Sequence, residues 1–157
     1  MTIQATARVI QNRIELQVGE ESWIGRPVVQ ATGALSRRIA ALFSTVYEIR
    51  TVAEPEAVRS TVSYLPKKDE ILIQIGEQKW KTHSTLFGPT TFEYGGLTYS
   101  IVEKLTGRFA ILRGEEILAE GDLGFRSCSV RGYPPELEGF LASLCLGYLM
   151  RSLFWAQ

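Results

Sequence analysis

Few residues in this chain have the types and spacing that do chemistry, and each has a plainer alternative. His83 is the single histidine. In Lys81-Thr82-His83-Ser84 it would serve as a general base only beside an activated serine or Cys128, and the chain has no nucleophile-elbow motif. A loop or strand-end position is expected for it. One histidine and two cysteines, Cys128 and Cys145, cannot build a His-rich metal site, and their spacing fits no zinc motif. No metal or cofactor is expected. Both thiols read as small buried apolar residues.

Glu115, Glu116, Glu120 and Asp122 lie close together in sequence. Adjacent residues on a strand point to opposite faces, so Glu115 and Glu116 are not a catalytic pair by themselves; solvated hairpin ends are expected. Gly95-Gly96 and Gly121-Asp122-Leu123-Gly124 lie between apolar runs, where hairpin turns explain them better than phosphate-binding loops. Trp80 between Lys79 and Lys81 offers a surface for an anion or carbohydrate, although alternation would turn the ring inward and the lysines outward. Trp23 is a further possible stacking ring, and Trp155 reads as core. The candidate binding residues are Arg37, Arg38, Lys79, Trp80 and Lys81.

These residues need a scaffold. At 157 residues and 45% hydrophobic content the chain can bury one sizeable core. Lys plus Arg and Asp plus Glu balance at 17 each, which excludes an overall basic field and argues against nucleic acid as a partner. The first residues lack the apolar stretch of a secretory signal, and two cysteines are too few for a disulfide scaffold. A cytoplasmic setting is expected, with membrane association left open.

Period-two alternation marks Ile14–Val18 as a strand, followed by Val46–Val52 and Val58–Tyr64 around a break at Glu54-Pro55-Glu56. Pro66–Asp69 reads as a turn into Ile71–Ile75, with Gln78–Thr82 returning as a hairpin. After Phe87, turn signals at Gly88-Pro89, Gly95-Gly96, Thr106-Gly107, Arg113-Gly114, Gly121-Asp122 and Arg131-Gly132 separate short apolar runs. Closely spaced strands with glycine at the corners predict an antiparallel meander, hence a barrel or sandwich. Leu35, Ile39, Leu42 and Phe43 fall at helical spacing, so a short helix over 34–43 is expected. It covers one end of the sheet or, with Arg37 and Arg38, touches a membrane surface.

The most informative element is C-terminal. Pro134-Pro135 and Glu136 start a helix over 135–156 that is apolar on nearly every face and must be buried in protein or in lipid. Gly139, Ser143 and Gly147 recur every four residues and make a groove for a close neighbour. The helix fits the centre of a β-barrel, one face of a sheet, or a tail anchor. Arg151 counts against the anchor, because a central charge costs about 2.5–3.5 kcal/mol on insertion scales.

Phe92–Ile101, Arg108–Ile117 and the helix Leu137–Trp155 together resemble the tubby C-terminal-like superfamily, which includes tubby domains, LURP-one-related proteins and phospholipid scramblases. The resemblance implies a closed β-barrel around a central C-terminal helix. It does not carry over a phosphoinositide site, because the basic residues are scattered as Arg37-Arg38, Lys67-Lys68, Lys79 and Lys81. The Pro-rich leader and Cys-rich tract of animal scramblases are lacking too, which makes LURP-one-related proteins the closer analogy.

The expected fold is mainly β (α+β), one domain over residues 1–157, with strands over about 4–130. The expected function is a non-enzymatic binding or scaffold module acting at a lipid surface or on a protein partner. The alternatives are a barrel carrier of a small apolar ligand and an enzyme with a carboxylate site not apparent from spacing.

Overall fold

The computed structural model describes residues 1–28, 45–83 and 89–155. The helix expected over 34–43, with Arg37 and Arg38, lies outside the described residues. Among the described residues, twelve strands form one antiparallel sheet. They are β1 (Thr2–Arg8), β2 (Arg13–Val18), β3 (Glu21–Pro27), β4 (Val46–Thr51), β5 (Ser60–Leu65), β6 (Glu70–Ile75), β7 (Gln78–Lys81), β8 (Thr90–Tyr94), β9 (Leu97–Glu103), β10 (Arg108–Arg113), β11 (Glu116–Leu123) and β12 (Ser127–Arg131). Apart from β7 and β8, each strand pairs with its neighbours in sequence, and β1 pairs with β12, Ile3 opposite Val130. The sheet is an up-and-down barrel, nearly closed, with one seam between β7 and β8.

Alternation decides which side chains enter. Ile3, Ala5 and Ala7 of β1, Ile14, Leu16 and Val18 of β2, and Ile71 and Ile73 of β6 are all buried inside. The lumen is occupied by α1 (Glu138–Trp155), preceded by a 3-10 turn at Pro135–Leu137. Every residue from Phe140 to Met150 is buried. The helix is long and apolar enough to cross a membrane, but it is wrapped by the barrel wall. Of the three placements the sequence allows, the central one holds.

The predicted groove is real at two of its three residues. A Cβ on Gly147 would sit 2.6 Å from Ile71 Cγ2, so a β6 side chain fills the space. The Ser143 hydroxyl donates to the Gly139 carbonyl (2.9 Å) and accepts from the Ser60 hydroxyl of β5 (2.9 Å). Both hydroxyls are thereby satisfied in an apolar lumen. A Cβ on Gly139 would meet nothing, so that glycine is not needed for close approach.

Two expectations need correction. Gly121 is not a turn residue: it lies inside β11, where a Cβ would strike the Phe109 ring and the Ser129 carbonyl. The turn comes at 124–126 instead, and it includes Phe125. Trp155 is not core. It is 64% exposed, at the end of the helix, with its indole Nε1 donating to the Tyr64 hydroxyl at 2.6 Å.

Candidate functional site

Three of the candidate residues meet at the barrel seam. His83 N donates to the Thr91 carbonyl (2.8 Å) and Thr91 N to the His83 carbonyl (3.0 Å). No other backbone pair joins β7 to β8 among the described residues. Toward the start of α1 the two strands part, leaving a cleft of about 370 Å³ lined by Lys79, Trp80, Lys81, His83, Glu93 and Gly95. As alternation predicted, Trp80 turns inward, against Tyr94 (5.1 Å between ring centroids) and Phe140 (5.8 Å). The rings plug the seam from behind, and both lysines stay at the outer surface. Trp23 is buried too, its indole donating to Glu21 with the Arg59 guanidinium over its ring.

His83 is 59% exposed on its side chain, with Nδ1 3.4 Å from Glu70 Oε2, and Lys81 Nζ lies 4.0 Å from the same carboxylate. A histidine oriented by a carboxylate is half of the arrangement that activates a nucleophile. Among the described residues no serine or thiol contacts His83, and both cysteines lie inside the barrel. Cys145 touches Cys128, and that contact together with burial pushes its pKa up, which keeps it an unreactive thiol. No group of His, Cys, Asp or Glu among the described residues could hold a metal ion. Glu115 lies exposed in a turn, and Glu116 pairs with Arg113 at 3.2 Å.

The helix end is fastened by a polar network. Tyr64 donates to Asp69 (2.6 Å), and Arg151 reaches Asp69 (3.9 Å) and Glu103 (3.7 Å). Burial, then the Asp69 contact, raise the Tyr64 pKa to about 12. Tyr148 is different. Its hydroxyl is buried and has no hydrogen-bond partner among the described residues. Burial, reinforced by Glu103, pushes its pKa far above the ordinary tyrosine value. A stranded buried hydroxyl costs about 1–3 kcal/mol. Tyr148→Phe should therefore leave the melting temperature unchanged or raise it, and a clear fall in a thermal scan would mean that the hydroxyl has a partner.

The larger feature is the distribution of charge along the barrel axis. The connections 19–20, 52–59, 76–77, 95–96 and 114–115 and the run 132–137 all lie at the end where α1 begins. Their charged residues are Glu20, Glu54, Glu56, Glu77, Glu115 and Glu136 against one cation, Arg59. The connections 9–12, 66–69, 104–107 and 124–126 lie at the other end, where α1 finishes. They carry Lys67, Lys68, Lys104 and Arg126 against Asp69. β3 ends and β4 begins at this end as well. A chain of zero net charge is thus acidic at one pole and basic at the other. The arrangement also complements the α1 dipole, positive at its start and negative at its finish.

Apolar residues mark the basic pole. Ile10 is 94% exposed, Leu105 fully exposed and Phe125 67% exposed, each within a turn. Sequence reasoning missed this surface, because it weighed the total charge and not where the charge falls.

The fold defines a class: an up-and-down antiparallel β-barrel filled by its own C-terminal helix. No family model, curated protein or solved structure matches the chain. The architecture is compatible with the superfamily the sequence resembles and does not establish membership.

Proposed function

We propose that this protein is a non-enzymatic binding or scaffold module that acts at a lipid surface. The observation that carries the reading is the separation of charge along the barrel, with cations and exposed apolar residues at one pole. A negatively charged membrane attracts that pole and repels the other, so the molecule would approach in one orientation. Each Lys or Arg near such a surface contributes about 1 kcal/mol. Lys67, Lys68, Lys104 and Arg126 form no ion pair among the described residues, so their charge is available. The helix-filled lumen counts against the carrier alternative, since a barrel packed with its own side chains has little room for an apolar ligand. Likeness to the tubby-like group, LURP-one-related proteins above all, is part of the same reading, as is a cytoplasmic setting facing the anionic leaflet.

Co-sedimentation with vesicles tests it. The chain should bind vesicles containing phosphatidylserine, bind phosphatidylcholine vesicles much more weakly, and bind less at about 0.15 M ionic strength than at low salt. Equal recovery with both vesicles, or none with either, would rule out an electrostatic membrane role.

A further inference from the structure

The three exposed apolar turns are neighbours. Around the barrel the strand order runs β2, β1, β12, β11, β10, β9, so the hairpins bearing Ile10, Phe125 and Leu105 are consecutive on the rim. They are also tied together. Ala7 N donates to the Arg126 carbonyl (2.8 Å) and Leu123 N to the Gly107 carbonyl (2.8 Å). A Cβ on Gly107 would meet the Leu123 carbonyl at 2.5 Å, so the close approach of these two hairpins requires glycine. Ile10 sits in the middle of a 3-10 turn closed by Asn12 in the left-handed region (φ 51°). That turn holds its side chain out from the rim.

The acidic pole provides an internal contrast. Its short turns are Gly19-Glu20, Gly76-Glu77, Gly95-Gly96 and Gly114-Glu115, the ordinary chemistry of solvated hairpins. Apolar residues toward that pole are about half exposed: Leu97 and Ile117 lie on strands, and Val52 and Val58 lie in the longer connection 52–59. Only the basic pole puts bulky apolar residues in its short turns. Each has a cation beside it: Lys104 next to Leu105, Arg126 with its guanidinium 5.4 Å from the Phe125 ring, and Arg8 and Arg13 sharing Glu15 below Ile10. Trp155 ends the helix at the same pole.

Apolar tips ringed by cations match the layering of an anionic bilayer, with phosphate and carboxylate outside and acyl chains a few ångströms deeper. We infer that Ile10, Leu105 and Phe125 insert together into the headgroup–acyl boundary of an anionic phospholipid bilayer, with the barrel axis standing along the membrane normal and Trp155 at the interface. Because hydrogen bonds fix the three turns relative to one another, little ordering is left to occur on contact. This inference rests on the lipid-surface reading and adds insertion to attraction.

The test combines phosphatidylserine-containing vesicles with the triple variant Ile10→Ser, Leu105→Ser, Phe125→Ser. These side chains are exposed, so the melting temperature should not change. The unsubstituted chain should retain part of its binding at about 1 M salt, where charge attraction is screened within about 3 Å. The triple variant should lose that part, with affinity down at least about tenfold. Bromine-labelled acyl chains should quench a share of tryptophan emission that Trp155→Phe removes. If the triple variant binds as tightly as the parent, insertion is refuted while lipid attraction stands. If the parent binds no vesicle, the lipid reading itself falls, and the pole becomes a face for a protein partner.

Discussion

A chain ending before Glu136 should not fold. Removing α1 takes away the continuous run of buried residues from Phe140 to Met150 and leaves twelve strands around an apolar hollow. Fully burying a Leu, Phe or Met side chain is worth about 1.5–3 kcal/mol. Phe140, Leu141, Leu144, Leu146, Leu149 and Met150 therefore account for roughly as much as the whole 5–15 kcal/mol by which a domain is stable. The inner faces of the strands would be exposed as well, and an apolar strand surface without a partner aggregates. The expected result is an insoluble product or one without a cooperative melt, read by circular dichroism and sedimentation. A soluble, cooperatively melting truncate would mean that the strands carry their own core and that the helix is an accessory.

Gly147→Leu should destabilise strongly for a more local reason. A Cβ there would already lie 2.6 Å from Ile71 Cγ2, with Ile71 Cδ1 and Cγ1 at 3.1 and 3.3 Å. Leucine adds further carbons into a site closed by a buried, β-branched side chain. Overfilling a packed core costs about 1–3 kcal/mol and sometimes more, which lowers the melting temperature by roughly 2–4 °C per kcal/mol at this size. Gly147→Ala together with Ile71→Ala should be less destabilised than the sum of the two single changes, a coupling of about 0.5 kcal/mol or more. Gly139→Ala is the control. Its Cβ meets nothing, and alanine is the better helix former by up to about 1 kcal/mol. Strict additivity at Gly147 and Ile71 would show that their contact does not decide the packing.

Much of this architecture was legible in the residues because it rests on local signals. Alternation at Ile14–Val18 and Ile71–Ile75 marked half-buried strands, and Gly95-Gly96 marked a hairpin. Other features were not legible because a local signal served a distant contact. Gly121 reads as a turn, yet it is glycine because the Phe109 ring packs over it. Trp155 reads as core by its helix, yet the helix outruns the barrel by that residue. Lys79, Trp80 and Lys81 were singled out by composition, but neither the seam beside them nor the proximity of Lys81 and His83 to Glu70 follows from their spacing.

By itself the sequence determined that a helix apolar on all sides must be enclosed and that many short antiparallel strands were present to enclose it. Only the tertiary structure decided where each turn lies. In an up-and-down barrel the end at which a turn emerges depends on whether an odd or even number of strands precedes it. The reading from pattern passed over β3 (Glu21–Pro27) and divided β11 at Gly121, and either miscount reverses the assignment of the turns that follow. The charges and apolar tips were visible residue by residue. Their separation into an acidic and a basic pole is a property of the completed strand order, which no local pattern encodes.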